Sequence, residues 1–153
     1  MKVKSILTIF CLTIASAVFS QSSIALRQAQ YNLKNNIALK GYDPVAYSLL
    51  GKALKGNKDL GGVTYNGVAY YFALQSTKDI FNLNPAKYEP TYGGWCAYAM
   101  GKRGEKVSID PEAFKVVDGK VYLFYGKSQV ADWNKEEQTL KSKADQFWLT
   151  IFR

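Results

Sequence analysis

The architecture of this chain follows first from residues 63–72, which read Val-Thr-Tyr-Asn-Gly-Val-Ala-Tyr-Tyr-Phe. Two runs rich in β-branched and aromatic residues flank Asn66-Gly67, a dipeptide that tolerates the positive φ angles of a two-residue type I′ turn. The stretch therefore predicts a β-hairpin. Ser76 follows as a candidate helix N-cap, with Asp79 three residues later, and this helix should end before Asn84-Pro85.

A second hairpin is predicted where Phe114–Val117 and Val121–Tyr125 enclose Asp118-Gly119-Lys120. Asp43-Pro44 and Asp110-Pro111 both resemble helix starts, because a carboxylate can cap free amides and proline suits the first helical position. A long C-terminal helix is indicated by apolar residues at three- and four-residue intervals: Val130, Trp133, Leu140, Ala144, Phe147 and Ile151. We predict the α+β class, with both hairpins in one small antiparallel sheet covered by several helices.

The amino terminus is typical of an export signal. Two lysines precede an apolar run over residues 5–14, and small residues follow, so cleavage is expected after Ala17 or Ser20. The run is shorter than the roughly 20 residues that span a bilayer, which favours a cleaved signal over an anchor. We therefore expect an exported protein, either periplasmic or secreted.

The predicted organisation has three parts. Residues 1–20 are the signal peptide, the polar residues 21–36 are a lead-in segment, and residues 37–153 form one domain that is large enough for a core. Order is expected to begin near Ile37. No second apolar run is long enough to cross a membrane, so no membrane span is expected after signal cleavage.

Cysteine and histidine content restricts the possible chemistry. The chain has two cysteines and no histidine, and Cys11 lies in the signal run, so Cys96 is the one cysteine of the mature protein. The cysteine–histidine hydrolase arrangement is excluded, and a structural zinc site, which needs about four nitrogen or sulfur donors, is not expected.

The charge pattern also bears on possible partners. The formal charge of +8 falls to +6 when the two lysines of the signal leave. The remaining basic residues are scattered along the chain and are not interleaved with aromatic residues as on a nucleic-acid surface. We therefore expect no nucleic-acid partner.

Several short motifs follow one another along the chain with a recognisable spacing. They are Lys40-Gly41-Tyr42-Asp43-Pro44-Val45-Ala46-Tyr47, Tyr70-Tyr71-Phe72, Phe81 with Asn84-Pro85-Ala86-Lys87-Tyr88, Tyr92-Gly93-Gly94-Trp95-Cys96-Ala97, and Asp118-Gly119-Lys120-Val121-Tyr122-Leu123. Together they resemble the exported branch of the YHS-domain family, whose members are largely uncharacterised. The resemblance covers nearly the whole mature chain, and it implies a family rather than an activity.

The better-known YHS relatives are small metal-associated modules whose pattern includes three cysteine positions. This chain holds Ala46, Ala73 and Thr77 at those positions, and it lacks the histidine that helps to name the family. The metal role of those relatives is therefore not implied here. Cys96 remains, within the motif of the exported branch itself.

Three functions stay open at this point. The first is non-enzymatic binding of a small ligand in a pocket of aromatic and acidic side chains, formed by Tyr42, Asp43, Tyr47, Tyr92, Trp95 and Cys96, with Tyr98 and Asp110 as further candidates. The alternative for these residues is structural, because tyrosines commonly pack their rings in the core and Asp-Pro carboxylates commonly cap helices.

The other two functions depend on the thiol. If Gly94 opens a helix, Cys96 and Met100 share a face and could bind Cu(I), which accepts soft sulfur donors. A thiol-dependent redox role is the third reading, since a helix amino terminus favours a reactive thiolate. Both sulfur residues could equally be part of the core. We expect a binding protein, with a small molecule or a metal ion as partner, rather than an enzyme.

Overall fold

The computed structural model describes residues 23–151. The predicted signal peptide lies outside these residues. The regular elements, in chain order, are helix α1 (23–30), strands β1 (Val63–Tyr65) and β2 (Val68–Tyr70), helices α2 (Gln75–Leu83), α3 (Pro85–Tyr88) and α4 (Ala97–Arg103), strands β3 (Asp110–Val117) and β4 (Lys120–Phe124), and helices α5 (Lys127–Lys135) and α6 (Glu137–Ile151). Shorter helical turns cover Ala38–Gly41, Ala46–Leu50, Lys58–Leu60 and Thr91–Gly94. The predicted α+β class and long C-terminal helix are confirmed.

Both predicted hairpins form, and both have the expected turns. Asn66 and Gly67 have φ angles of 45° and 80°, while Asp118 and Gly119 have 51° and 73°, as a type I′ turn requires. The prediction that both hairpins share one sheet is wrong, however, because the strands form two separate antiparallel pairs, β1–β2 and β3–β4. Turn chemistry is local and fixes each hairpin, whereas the pairing of one hairpin with another depends on tertiary packing.

Helix α4 lies in the interior and packs chiefly against α6. Gly101 permits this close approach, since a Cβ atom there would lie 2.4 Å from the carbonyl oxygen of Leu140. The predicted apolar stripe is divided between α5 and α6 by a break at Glu136, whose φ of −136° is not helical. The buried members of the stripe are Trp133, Leu140 and Ala144.

The segment before Ile37 is ordered and is attached to the rest of the domain. Residues 23–30 are helical, and Arg27 makes an ion pair with Glu89. The guanidinium of Arg27 also lies 4.5 Å from the centroid of the Tyr31 ring. Order therefore begins earlier than the sequence predicted, because polar residues of this segment make specific tertiary contacts instead of showing an apolar period.

Two of the predicted helix starts differ from the structure. Asp110-Pro111 opens strand β3, where Asp110 Oδ1 accepts the amide of Glu112 at 3.0 Å, so this Asp-Pro pair forms a local turn and not a helix. Helix α2 begins at Gln75 with Leu74 as its N-cap residue, two residues before the predicted Ser76 cap. Within residues 23–151, no helix is both long and apolar enough to cross a bilayer.

Candidate functional site

Asp43 is the most highly connected of the predicted site residues. Its side chain is fully buried, and Oδ1 accepts the amides of Val45 and Ala46 at 2.9 and 3.1 Å. Oδ2 accepts the amide of Ala73 at 2.8 Å and the hydroxyl of Thr77 at 2.5 Å. Four donors converge on one carboxylate, so Asp43 both starts the following helical turn and joins it to the β2–α2 region.

This hub brings together three positions that are distant in the sequence. Ala46, Ala73 and Thr77 are the places at which the pattern of the better-known YHS relatives has cysteine, and each of them donates a hydrogen bond to Asp43. A buried carboxylate with its donors thus occupies the point where those positions meet. The arrangement is structural in this chain, because all four donors are satisfied within the protein.

Tyr47 and Tyr92 are core residues with internal partners. Tyr47 donates to the carbonyl oxygen of Pro111 at 2.8 Å, and its ring packs edge-on against Phe114 with centroids 4.8 Å apart. Tyr92 donates to Asp145 Oδ1 at 2.9 Å. Burial raises the pKa of both phenols above the ordinary tyrosine value, and the hydrogen bond to Asp145 adds to the rise for Tyr92. Both side chains therefore stay neutral near pH 7.

The remaining aromatic candidates, Tyr42, Trp95 and Tyr98, are half-buried, and Tyr98 lines the same pocket as Cys96. The ammonium of Lys55 lies 4.8 Å from the centroid of the Tyr42 ring. Trp95 Nε1 donates to the carbonyl oxygen of Gln30 at 2.7 Å, which fastens the end of α1 to the glycine-rich motif. Of the six predicted ligand residues, Cys96 alone lines either of the two pockets described here. The six predicted ligand residues thus do not line a common pocket, although Tyr42, Asp43 and Asp110 lie near enough to Tyr47 to raise the pKa of its phenol further.

Cys96 is the N-cap residue of α4 and is 1% exposed. The amide of Tyr125 donates to its Sγ at 3.3 Å. The thiol borders a small cavity of about 140 Å³, which Arg103 and Gln129 also line. Gly94 does not open this helix, which begins at Ala97, so that part of the prediction is wrong. Cys96 and Met100 are nevertheless one helical turn apart, since the amide of Met100 donates to the carbonyl oxygen of Cys96 at 3.0 Å.

The described part of the chain shows no cluster of metal-binding side chains around Cys96 and Met100. Met100 is fully buried and does not line the small cavity beside Cys96. No group of three or more histidine, cysteine, aspartate or glutamate side chains within residues 23–151 could hold a metal ion. Copper binding through Cys96 and Met100 stays a prediction from the sequence.

A larger pocket lies elsewhere, at a place that the sequence did not indicate. Its volume is about 470 Å³, and we call it the lysine pocket after the residues that line it: Lys34, Asn35, Ile37, Lys40, Gly41, Lys55, Gly56, Lys58 and Tyr71. Ile37, Gly41, Gly56 and Tyr71 are half-buried, whereas the four lysines are exposed. The lysines therefore form the rim around a partly apolar floor.

Two left-handed turns build one wall of the lysine pocket. Lys34 and Ile37 exchange backbone hydrogen bonds of 3.0 Å across Asn35 and Asn36, whose φ angles are 52° and 63°. This is the geometry of a two-residue hairpin turn, in which asparagine is well tolerated. The wall is held to the first hairpin because the amide of Ala69 donates to the carbonyl oxygen of Asn36 at 3.0 Å.

The second turn places Lys40 and Gly41. Leu39 and Lys40 have φ angles of 57° and 52°, which cost non-glycine residues about 1–2 kcal/mol each. The turn is held by burial of Leu39, which is 2% exposed, and by the amide of Tyr42, which donates to the Leu39 carbonyl oxygen at 3.0 Å. Tertiary contacts therefore maintain a strained backbone beside the pocket.

Two of the four lysines are anchored and two are free. Lys40 Nζ donates to the carbonyl oxygen of Ile109 at 2.5 Å, and Lys55 Nζ donates to that of Lys40 at 2.5 Å. Lys34 and Lys58 make no side-chain hydrogen bond or ion pair with any residue in the described range 23–151. No aspartate or glutamate is among the residues that line the pocket.

The sequence contained one signal for this pocket, the Asn35-Asn36 pair, which is typical of a left-handed turn. The strain at Leu39 and Lys40 has no sequence signal, because neither residue favours positive φ. The convergence of segments 34–41, 55–58 and Tyr71 is purely tertiary.

Comparison with known proteins leaves the chain without a detected relative: no protein-family model, no curated protein and no solved structure matches it. The likeness to the exported YHS branch therefore remains a resemblance of motifs.

Proposed function

We propose that the protein is an exported, non-enzymatic binding module of the YHS type that holds a small ligand in the lysine pocket. The observation that carries this proposal is the pocket itself. Its volume of about 470 Å³ lies within the range of roughly 300–1,000 Å³ that is usual for small-molecule sites. Lys40 and Gly41 belong to the first YHS-like motif and Tyr71 to the second, so two of the motifs meet at this wall.

The local backbone supports the same location. Leu39, Lys40 and Gly41 are three consecutive residues with positive φ, and strained backbone clusters at binding and catalytic sites more often than elsewhere. Close packing requires glycine at position 56, because a Cβ atom there would lie 2.5 Å from Cβ of Tyr71. The close approach of these segments gives the pocket a fixed floor, which reduces the ordering cost of binding.

The polar composition of the pocket favours binding over catalysis. Its lining combines lysines, one asparagine and backbone with Ile37 and Tyr71, and it contains no cysteine or carboxylate. A nucleophile or general base is normally recognised by a partner within hydrogen-bond reach, and the two lysines with partners contact carbonyl oxygens. The site can therefore hold and orient a molecule, which is the activity that we propose.

The proposal is tested by a small-molecule screen that detects ligands through amide chemical shifts of the ¹⁵N-labelled protein. Compounds of neutral, cationic and anionic character should be included, and the hits should shift the amides of Gly41, Gly56 and Tyr71. Tyr71→Ala removes the aromatic ring from the floor of the pocket. It should lower the affinity for the hits roughly tenfold, as expected for the loss of one aromatic contact.

Tyr125→Ala is the matched control, because Tyr125 is 63% exposed and lies outside the lysine pocket. Its affinity for the hits should equal that of the unchanged protein. A screen without hits, or hits that bind equally well to Tyr71→Ala, would contradict a ligand site in this pocket.

A further inference from the structure

We propose that the ligand of the lysine pocket is a small organic anion, with a carboxylate or phosphate group bound by the lysines and an apolar portion against Ile37 and Tyr71. This inference rests on the proposed binding function and names its ligand class. It follows from three properties of the pocket: its charge, its free donors and its apolar floor.

The charge of the pocket is of one sign. Four lysines line it, and no acidic side chain is among the lining residues. Like charges that face a common cavity repel one another, and an anion in the cavity relieves this repulsion while it gains attraction from each ammonium. A concave surface with one sign of charge also concentrates ligands of the opposite sign. Cations are disfavoured for the same reason.

The donors are arranged so that capacity remains for a ligand. An ammonium has three N–H donors. Lys40 and Lys55 each use a donor on a backbone carbonyl oxygen, at 2.5 Å in both cases, so their positions are fixed while further donors remain. The face of the Tyr42 ring lies 4.8 Å from Lys55 Nζ and holds this ammonium further.

Lys34 and Lys58 contribute differently. Neither ammonium has a side-chain hydrogen bond or ion pair within residues 23–151, so all of their donors are available to a ligand at the rim. Charge-assisted hydrogen bonds to carboxylate or phosphate are the strongest that such donors make. These two residues are therefore the best positions for a test, because their replacement removes charge without breaking a side-chain hydrogen bond or ion pair of the described residues.

The floor defines the rest of the ligand. Ile37 and Tyr71 are half-buried and line the pocket beneath the lysine rim. An inorganic anion fills little of about 470 Å³ and leaves this apolar surface in water. An organic anion covers the floor and places its charge at the rim, so that both parts of the site contribute.

The experiment titrates four probes into the ¹⁵N-labelled protein: benzoate, phenyl phosphate, benzamide and inorganic phosphate. Benzamide has the shape of benzoate without the charge, and inorganic phosphate has the charge without the ring. Each titration is repeated with Lys34→Gln/Lys58→Gln. The matched control is Lys127→Gln/Lys143→Gln, which removes two exposed lysines outside the pocket and changes the net charge equally.

We expect benzoate, phenyl phosphate or both to shift the amides of Gly41, Gly56 and Tyr71 and to bind more tightly than benzamide and inorganic phosphate. The comparison of the two anions identifies the preferred charged group. Lys34→Gln/Lys58→Gln should lower the affinity for the anion by roughly 2- to 30-fold, which is the combined effect of losing two exposed ion pairs. The Lys127→Gln/Lys143→Gln control should bind as the unchanged protein does, and added salt should weaken binding through screening.

Other outcomes overturn the inference. If benzamide binds in the pocket as tightly as the tighter-binding of benzoate and phenyl phosphate, or if Lys34→Gln/Lys58→Gln binds that anion as tightly as Lys127→Gln/Lys143→Gln does, the ligand is not selected by charge, and only the proposed binding function survives. If inorganic phosphate binds as tightly as the tighter-binding of benzoate and phenyl phosphate, the proposed apolar portion of the ligand is wrong. If no probe shifts these amides while the wider screen finds a neutral pocket ligand, the anionic class is wrong; failure of that screen contradicts the binding function itself.

Discussion

Asp43 and Lys40 lie three residues apart in one motif, yet they belong to opposite kinds of environment. Asp43 is fully buried and accepts hydrogen bonds from four donors of the protein. Lys40 is exposed at the rim of the lysine pocket, where one contact to Ile109 fixes its ammonium and leaves donors free. A polar group that is saturated by the protein stabilises the fold, whereas a fixed group with spare capacity is suited to a ligand.

The same contrast holds for the two regions as wholes. The Asp43 hub joins the first YHS-like motif to Ala73, the residue that follows the second, and Tyr92 and Cys96 of another motif lie in the core with internal partners. The lysine pocket draws its free cations from Lys34 and Lys58, which lie outside the quoted motifs. Motif residues thus build the frame and part of the pocket lining, whereas the free lysines of the pocket come from outside the motifs.

The comparison is tested most severely by Asp43→Ala. This change leaves the amides of Val45, Ala46 and Ala73 without their acceptor, whereas the Thr77 hydroxyl keeps the carbonyl oxygen of Leu74 at 2.8 Å. We expect the free energy of unfolding to fall by about 3–5 kcal/mol, because several buried donors are unsatisfied at once. Urea denaturation measures the loss. Asp59→Ala, at an exposed position, should change stability by less than about 0.5 kcal/mol; similar values for the two variants would show that Asp43 is not a structural hub.

A second prediction concerns the alkaline stability of the core tyrosines. Burial and the hydrogen bond to Asp145 raise the pKa of Tyr92 above its unfolded value of about 10. The native state then holds this proton more tightly than the unfolded state, so the stabilisation is complete below about pH 10 and is lost as the pH rises further. We expect the free energy of unfolding to decrease above pH 10 by up to about 1.4 kcal/mol per pH unit for each such group.

Tyr92→Phe should make that decrease shallower and should cost about 1 kcal/mol at neutral pH through the lost hydrogen bond. Denaturant unfolding at several pH values between 7 and about 11 gives both quantities. The control is Tyr125→Phe, which alters an exposed ring and should follow the curve of the unchanged protein. An unchanged alkaline slope for Tyr92→Phe would contradict the assignment of the lost proton to this residue.

The smallest effect on stability is expected at the lysine pocket, whose free lysines should contribute little to the fold in contrast to Asp43. Lys34→Gln/Lys58→Gln removes two ammonium groups that make no ion pair within residues 23–151. We expect a change in the free energy of unfolding of less than about 0.5 kcal/mol, measured by urea denaturation, although anion affinity falls. A large loss of stability would place these lysines in the frame of the protein and not in its binding surface.

Local signals account for the parts of the fold that the sequence predicted correctly. Asn66-Gly67 and Asp118-Gly119 adopt the positive φ angles expected of them, and the Asp43 carboxylate caps the following helical turn as predicted. Asp110-Pro111 has the same dipeptide but opens a strand, because Asp110 itself pairs with Phe124 in β4. The dipeptide permits a helix start, and the surrounding contacts decide whether one forms.

The candidate site was harder to predict from the sequence, because a distinctive residue type does not reveal whether its side chain is used in the core or in a pocket. Tyr47, Tyr92, Trp95 and Cys96 are distinctive residue types, but their polar atoms find partners inside the protein. Exposed lysines are common in any sequence and gave no reason to group Lys34 with Lys58. Grouping them requires the fold, which brings segments 34–41 and 55–58 to the same cavity.

The sequence by itself determined the α+β class, the two hairpins and the long C-terminal helix, because turn dipeptides and apolar periodicity act over a few neighbouring residues. It also determined that histidine chemistry is excluded, since the chain contains no histidine. Only the tertiary structure separated the hairpins into two sheets, saturated Asp43 with donors from 30 and more residues away, and enclosed a pocket between lysines. Those features depend on contacts between distant segments, which no local pattern encodes.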